Sequence, residues 1–183
     1  MVITEDICEQ FRKGDKKAFD QIYNAFSGAM YGICLRYTRC ADDAQEILQE
    51  SFIKIYKNAH QYSLDRPLAA WIKTIVINTA LTYIKKNYRF SLQEDDTYFD
   101  ANVEIDLEEQ DQETLKKMLL TFLNKLPDGY RTVFNLFVLE NLTHKEIAEH
   151  LGISENTSKT QFFKAKKQIQ QWVAEANLKS ETV

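Results

Sequence analysis

The sequence predicts an all-α protein of two small helical domains joined by an acidic linker. Three observations carry that expectation. Gly (5) and Pro (2) together supply only 7 of 183 residues, about a third of ordinary usage, whereas sheet proteins need both at their many tight turns. Apolar residues recur every three to four positions through nearly the whole chain, the period of a helix with one buried face. The exception is residues 91–114, which hold ten Asp and Glu and no Lys or Arg. Such a segment repels itself, and it outruns the roughly 12–15 residues usual for a structureless loop, so it reads as a domain boundary. The expected division is a first domain at 1–90, a linker at 91–112 and a second domain at 113–178.

The remaining composition excludes several classes. The longest apolar runs are far shorter than the roughly 20 residues of a membrane span. The N-terminal dozen residues are acidic and lack an apolar signal core, so no export is expected. Cys8, Cys34 and Cys40 form no C-x-x-C and cannot all pair, as befits reduced thiols in a cytoplasmic protein. The net charge is −4, yet outside residues 91–114 there are 23 Lys and Arg against 17 Asp and Glu. The two domains are therefore mildly basic, and a nucleic-acid partner is compatible with them.

Each element follows from its punctuation. Gly14 closes a short first helix. Residues 15–26 place Ala18, Phe19, Ile22, Tyr23 and Phe26 at helical spacing, and Ser27 is a candidate cap for a separate helix carrying Met30, Ile33, Cys34 and Tyr37. Asp42 or Asp43 caps the next, which buries Ala44, Ile47, Leu48, Ser51, Phe52, Ile55 and Tyr56. Its other faces carry Asp43, Glu46, Gln49, Glu50 and Lys54. Residues 60–67 break the pattern, and Asp65 with Pro67 starts a long helix to about residue 89. After the acidic strip come helical patterns at 114–125, from Pro127 onward, at 143–151 and at 155–174.

The last two patterns form a recognisable unit. Thr143-His144-Lys145-Glu146 is a capping box. Ile147, Ala148 and Leu151 give a narrow apolar seam, Gly152 turns the chain, and Ser154 caps the following helix. Helix, short Gly-containing turn, helix is the helix-turn-helix pattern. Phe162, Ala165 and Ile169 face its core. Asn156, Lys159, Thr160, Phe163, Lys164 and Lys167 then point outward, a mixture suited to phosphates and base edges in a major groove. If four lysines each neutralise a phosphate, the log–log salt slope of binding is on the order of −3 to −4.

Residues 126–172, with this short helix, Gly-Ile-Ser turn and K-x-x-x-x-K-A-K tail, resemble the C-terminal domain of the extracytoplasmic-function sigma factors. The N-terminal half resembles the same family independently: DAQEILQESFIKIY (43–56) is similar to its polymerase-docking helix, and WIKTIVINTALTYIKK (71–86) to the helix that reads the −10 promoter element. The resemblance implies a factor that binds core RNA polymerase, directs it to promoter DNA and helps open the −10 region. It assigns Asp43, Glu46, Gln49 and Glu50 to core polymerase. It assigns Tyr62, as a stacking face for a flipped base, with Lys73, Asn78, Lys85 and Lys86, to the −10 element. Lys159, Thr160, Phe163 and Lys164 fall at the −35-reading positions, with Asn156, Thr157 and Lys167 beside them. The acidic strip matches the family's linker, which runs through the polymerase cleft. Family members are often held by an anti-sigma protein, a further implied partner. Three positions depart from the pattern: Leu64 stands where Gly is common, Ser158 where an apolar residue packs, and Phe137 where many members carry Arg.

No Gly-rich phosphate loop or catalytic triad appears, so no catalytic residue and no cofactor is expected. A carboxylate metal site in a helical bundle needs Glu-x-x-His pairs, and His60, His144 and His150 provide none; no metal is expected. The alternative reading is a helix-turn-helix transcriptional regulator with an all-helical sensing domain. Such a domain has no need of both family-like helices in the N-terminal half.

Overall fold

The computed structural model describes residues 3–87 and 112–180. The expected linker lies outside the described residues, apart from Gln112 at its end. Among the described residues the regular structure is helical throughout. The chain divides into two compact units, Met1–Tyr88 and Arg89–Val183.

In the first unit, α1 (Glu5–Arg12), α2 (Lys16–Tyr37), α3 (Ala41–Lys57) and α4 (Leu68–Asn87) form the bundle, with a single 3-10 turn at Ala59–Gln61 before α4. Gly14, at φ 84°, ends α1 as a left-handed cap. Its N–H donates to the Phe11 carbonyl at 2.9 Å and the Asp15 N–H to that of Gln10 at 3.1 Å, satisfying carbonyls the helix leaves open. Asp15 then caps α2, accepting from the Ala18 N–H at 2.8 Å.

Two expectations about helix starts are corrected here. Ser27 starts nothing: α2 runs unbroken through it for 22 residues. Gly28 and Gly32 lie within that helix, each at about 1 kcal/mol relative to Ala, and packing against α3 and α4 outweighs them. Cys40, not Asp42 or Asp43, caps α3, its Sγ accepting from the Asp43 N–H at 3.5 Å. The two acids instead occupy the first turn, where the positive end of the helix dipole favours them.

The core of this unit lies between α2, α3 and α4. Ile22, Cys34, Tyr37, Ile47, Ile55, Ile72, Val76 and Ile84 are buried there, and each such aliphatic chain contributes roughly 1.5–3 kcal/mol over its exposed state. Burial pushes the Cys34 thiol up to about 12, so it stays protonated and packs as an apolar group. Phe11 of α1 closes one end against Phe19 and Trp71, at ring separations of 6.4 and 6.2 Å. One member of the expected buried face of α3 is not buried: Tyr56 is exposed, its hydroxyl donating to the Gly14 carbonyl at 3.3 Å.

The second unit comprises α5 (Gln112–Lys125), α6 (Asp128–Phe134), α7 (His144–Leu151) and α8 (Glu155–Ser180), with a π turn at Asn135–Leu139 prolonging α6. Phe122 and Leu123 from the end of α5, Leu126 just after it, Phe134 from α6, and Ala165 and Ile169 from α8 make its core. Arg131 of α6 is fully buried, its guanidinium paired with Asp128. Thr143 and Glu146 form the expected capping box, both halves present. Gly152 turns the chain at φ 70°, ψ 37°, and the Ser154 hydroxyl accepts from the Thr157 N–H at 3.0 Å to start α8.

Candidate nucleic-acid and protein interfaces

On α3, positions 43, 46 and 50 are three and four residues apart and so share one side. Glu46, Gln49 and Glu50 are exposed, and Asp43 is half-buried. Tyr83 of α4 and Lys54 of α3 tie this acidic ridge to α4. The Tyr83 hydroxyl donates to Asp43 Oδ1 at 2.8 Å and lies 3.4 Å from Glu46 Oε2. Lys54 Nζ pairs with Glu50 Oε1 at 2.7 Å and donates to Thr79 Oγ1 at 3.4 Å. The carboxylates are thus held in place before any partner arrives, which lowers the entropy cost of binding.

Beside the ridge, Gln49 borders a shallow cleft of about 420 Å³ between α2 and α3, lined also by Phe19, Tyr23, Phe52, Ile53, Tyr56 and Lys57. Ile53 is 54% exposed, the most exposed large apolar side chain among the described residues, with Tyr56 and Tyr23 next to it. An isolated exposed apolar residue means little, but a cleft of rings abutting a charged ridge has the make-up of a protein-binding surface. The sequence reading missed Ile53. Its signal was available, since an isoleucine at 53 falls out of phase with the buried series 44, 47, 48, 51, 52 and 55.

The α4 face divides the five expected −10 residues. Asn78, Lys85 and Lys86 are exposed, and at about 100° per residue Lys85 lies within about 20° of Asn78. Thr74 and Thr82 share that face, their hydroxyls donating back to the Ala70 and Asn78 carbonyls at 2.9 and 2.8 Å. Lys73 is half-buried and lies about 140° around the helix from Asn78, so α4 does not present it with the others. Tyr62 is a second correction. It is 4% exposed, its ring packed 5.4 Å from that of Trp71 and its hydroxyl donating to the Arg66 carbonyl at 2.7 Å. Burial raises both the Tyr62 phenol and the neighbouring Cys8 thiol above their ordinary values. Tyr62 covers the core and has no face to offer a base in this structure. The exposed side chains of that loop are His60, Gln61, Asp65, Arg66 and Pro67.

On α8 all seven expected residues lie away from the core. Asn156, Lys159 and Lys167 are exposed, and Thr157, Thr160, Phe163 and Lys164 are half-buried. Lys159 Nζ pairs with Glu155 Oε1 at 2.7 Å, an exposed i, i+4 pair that a phosphate competes with cheaply. Behind this face the two departures in sequence meet. Ser158 is fully buried, and its Oγ shares a 2.9 Å hydrogen bond with His144 Nδ1 of α7. The His144 ring stacks on Phe137, with centroids 4.4 Å apart and planes 16° from parallel, and Phe137 lies 4.5 Å from Phe162. A polar contact and a ring stack thus replace simple apolar packing.

The His144 imidazole titrates below its ordinary range, first because it is partly buried and then because Lys159 is close; Glu155 opposes this weakly. A base whose folded-state value is depressed contributes stability that is complete above its unfolded value, near 6.5, and that falls away as the pH drops below it. The second unit is therefore expected to lose stability between pH 7.5 and 5.5 relative to His144→Gln. Trp172 fluorescence melts in a Trp71→Phe background measure it, and parallel pH profiles would contradict it.

A helix-turn-helix whose second helix projects lysines, amides and hydroxyls is a DNA-binding unit, and here it accompanies a helical unit with an acidic ridge beside an apolar cleft. The family model for sigma-70 region 2 matches residues 22–90, and that for sigma-70 region 4 matches residues 116–169. The chain is 27% identical over 174 residues to an ECF RNA polymerase sigma-E factor of Haemophilus influenzae, covering 90% of this chain and 92% of the relative. It is 28% identical over 183 residues to the ECF RNA polymerase sigma factor SigW of Bacillus subtilis, covering 88% and 91%. Among solved structures, that of CnrH in complex with the cytosolic domain of CnrY aligns at a TM-score of 0.51 and 18% identity, over 95% of this chain and 99% of that one; this is a likeness of fold. The two region models span two-thirds of the sequence in the family's order, and the chain belongs to the sigma-70 family of RNA polymerase sigma factors. Both relatives named above are ECF RNA polymerase sigma factors.

Proposed function

We propose that this protein is a sigma factor that binds core RNA polymerase, directs it to specific promoters and helps open the −10 region. The observation that carries the reading is the pairing, in one chain, of region 2 with an exposed acidic and apolar face and region 4 with a helix that exposes Lys159 and Lys167. In this reading the first unit, with its −10 and polymerase-binding residues, corresponds to 1–90, and the −35-reading unit to 113–178. Asp43, Glu46, Gln49 and Glu50 meet basic residues of the polymerase, and Tyr23, Ile53 and Tyr56 give the contact its apolar centre. Asn78, Lys85 and Lys86 face the −10 element. Asn156, Thr157, Lys159, Thr160, Phe163, Lys164 and Lys167 face the −35 element. The N–H groups at the start of α8 suit phosphate.

The factor supplies binding energy rather than bond chemistry and acts in the cytoplasm. No helix among the described residues is long and apolar enough to cross a membrane. An anti-sigma protein is a further proposed partner, on the family resemblance.

Run-off transcription with purified core polymerase and a genomic promoter library tests the reading. Addition of the protein is expected to start transcripts at a small subset of fragments. No selected starts, together with no association with core polymerase, would overturn it. Tight specific binding of the protein alone to duplex DNA would favour the regulator instead.

A further inference from the structure

We propose that His144 and Ser158 are positioning residues that set the rotation of α8 about its axis, and hence the register in which Lys159, Thr160, Phe163 and Lys164 meet base edges. The proposal rests on the reading of α8 as the −35-recognition helix. Most of what holds α8 is apolar: Ala165 and Ile169 are buried in the core, and Ile147 and Leu151 present the buried side of α7. Apolar contact is non-directional and tolerates small rotations of a helix. The 2.9 Å bond between His144 Nδ1 and Ser158 Oγ is directional, and its Ser158 end is fully buried.

Both ends of that bond are fixed. His144 opens α7, and the capping box fixes the first turn there: the Thr143 N–H donates to Glu146 Oε2 at 2.8 Å and the Glu146 N–H to Thr143 Oγ1 at 3.3 Å. Phe137 holds the imidazole plane from its other side. On α8, Ser158 immediately precedes Lys159, within the first turn and a half. A rotation of about 20° moves a side-chain end about 6 Å from the axis by about 2 Å, which is enough to lose a hydrogen bond to a base.

The separating measurement is discrimination, not affinity alone. Holoenzyme assembled from the full chain and core polymerase is titrated with a promoter recovered by run-off, carrying either an intact or a scrambled −35 element. At a temperature where Trp172 fluorescence shows the second unit folded, Ser158→Ala and His144→Phe are each expected to lower the ratio of affinities about tenfold. The salt slope stays unchanged, because phosphate contacts tolerate the rotation. The double variant leaves no polar atom without its partner and is expected to do no worse than either single change.

Wild-type discrimination in both single variants, with Lys159→Ala losing it, would overturn the positioning role and leave the recognition helix in place. Wild-type discrimination and wild-type affinity in the Lys159→Ala, Lys164→Ala double variant as well would overturn the reading of α8 itself. Losses that simply add in the Ser158→Ala, His144→Phe double variant would also overturn the proposal, since uncoupled residues add. Should Ser158→Ala fold poorly, His144→Gln serves, because its amide restores a partner for Ser158 and is expected to keep discrimination near wild type.

Discussion

Glu50→Lys is expected to abolish co-purification with core RNA polymerase while leaving the helical circular-dichroism signal intact. Glu50 is exposed on the ridge that contains Glu46 and Asp43, and its carboxylate is already oriented by Lys54 at 2.7 Å. Reversing it removes one attraction, places a like charge before the partner's basic residues and sets two lysines four residues apart on α3. Like-charge juxtaposition at an interface costs several kcal/mol, or at least about a hundredfold in affinity. The change in the free protein is small, because an exposed i, i+4 pair is worth only about 0.3–0.5 kcal/mol. Glu50→Gln, which deletes the charge without reversing it, is expected to fall between the two. Pull-down with core polymerase at two salt concentrations measures the series. Undiminished binding of Glu50→Lys would remove the ridge from the docking surface and leave the apolar cleft to carry it.

Lys159→Ala with Lys164→Ala is expected to be the second large loss. If each lysine reads a base, each costs roughly 1–3 kcal/mol, and transcription from a −35-dependent promoter falls by one to several orders of magnitude. If instead each neutralises a phosphate, the loss is uniform across sequences, and the salt slope flattens by about 0.9 for each lysine. The two outcomes separate in one titration against intact and altered −35 elements. Lys159 first has to leave Glu155, so Glu155→Gln is expected to strengthen promoter binding slightly at low salt. Wild-type transcription from the double variant would mean that α8 is not the reading helix.

The legibility of these sites differed with how local their cause is. The outward set on α8 was readable because a helix buries what its period dictates: Phe162, Ala165 and Ile169 define one side, and Asn156, Lys159 and Lys167 fall on the other without reference to a third element. The capping box and the Gly152 turn were readable for the same reason, since each is closed within a few residues. The acidic ridge of α3 was readable as a spacing. The bonds from Tyr83 and Lys54 that hold it were not, because they join residues 40 and 25 positions apart. The departures at Ser158 and Phe137 looked unrelated in the sequence, and only His144 between them makes them one cluster.

By itself the chain's residue order determined its helical class, its division into two helical units, the helix-turn-helix and the family resemblance, because periodicity, caps and charge blocks act over one or two turns. Only the tertiary structure decided which aromatics face water. Tyr62 is buried because Trp71 and the Arg66 carbonyl close over it, while Tyr56, in step with a buried stripe, stays exposed beside Ile53. Lys73 is the opposite case, since its place about 140° around α4 from Asn78 follows from the helical period alone. Whether a side chain at the margin of a helix face is covered depends on what another part of the chain brings to it, and no local pattern records that.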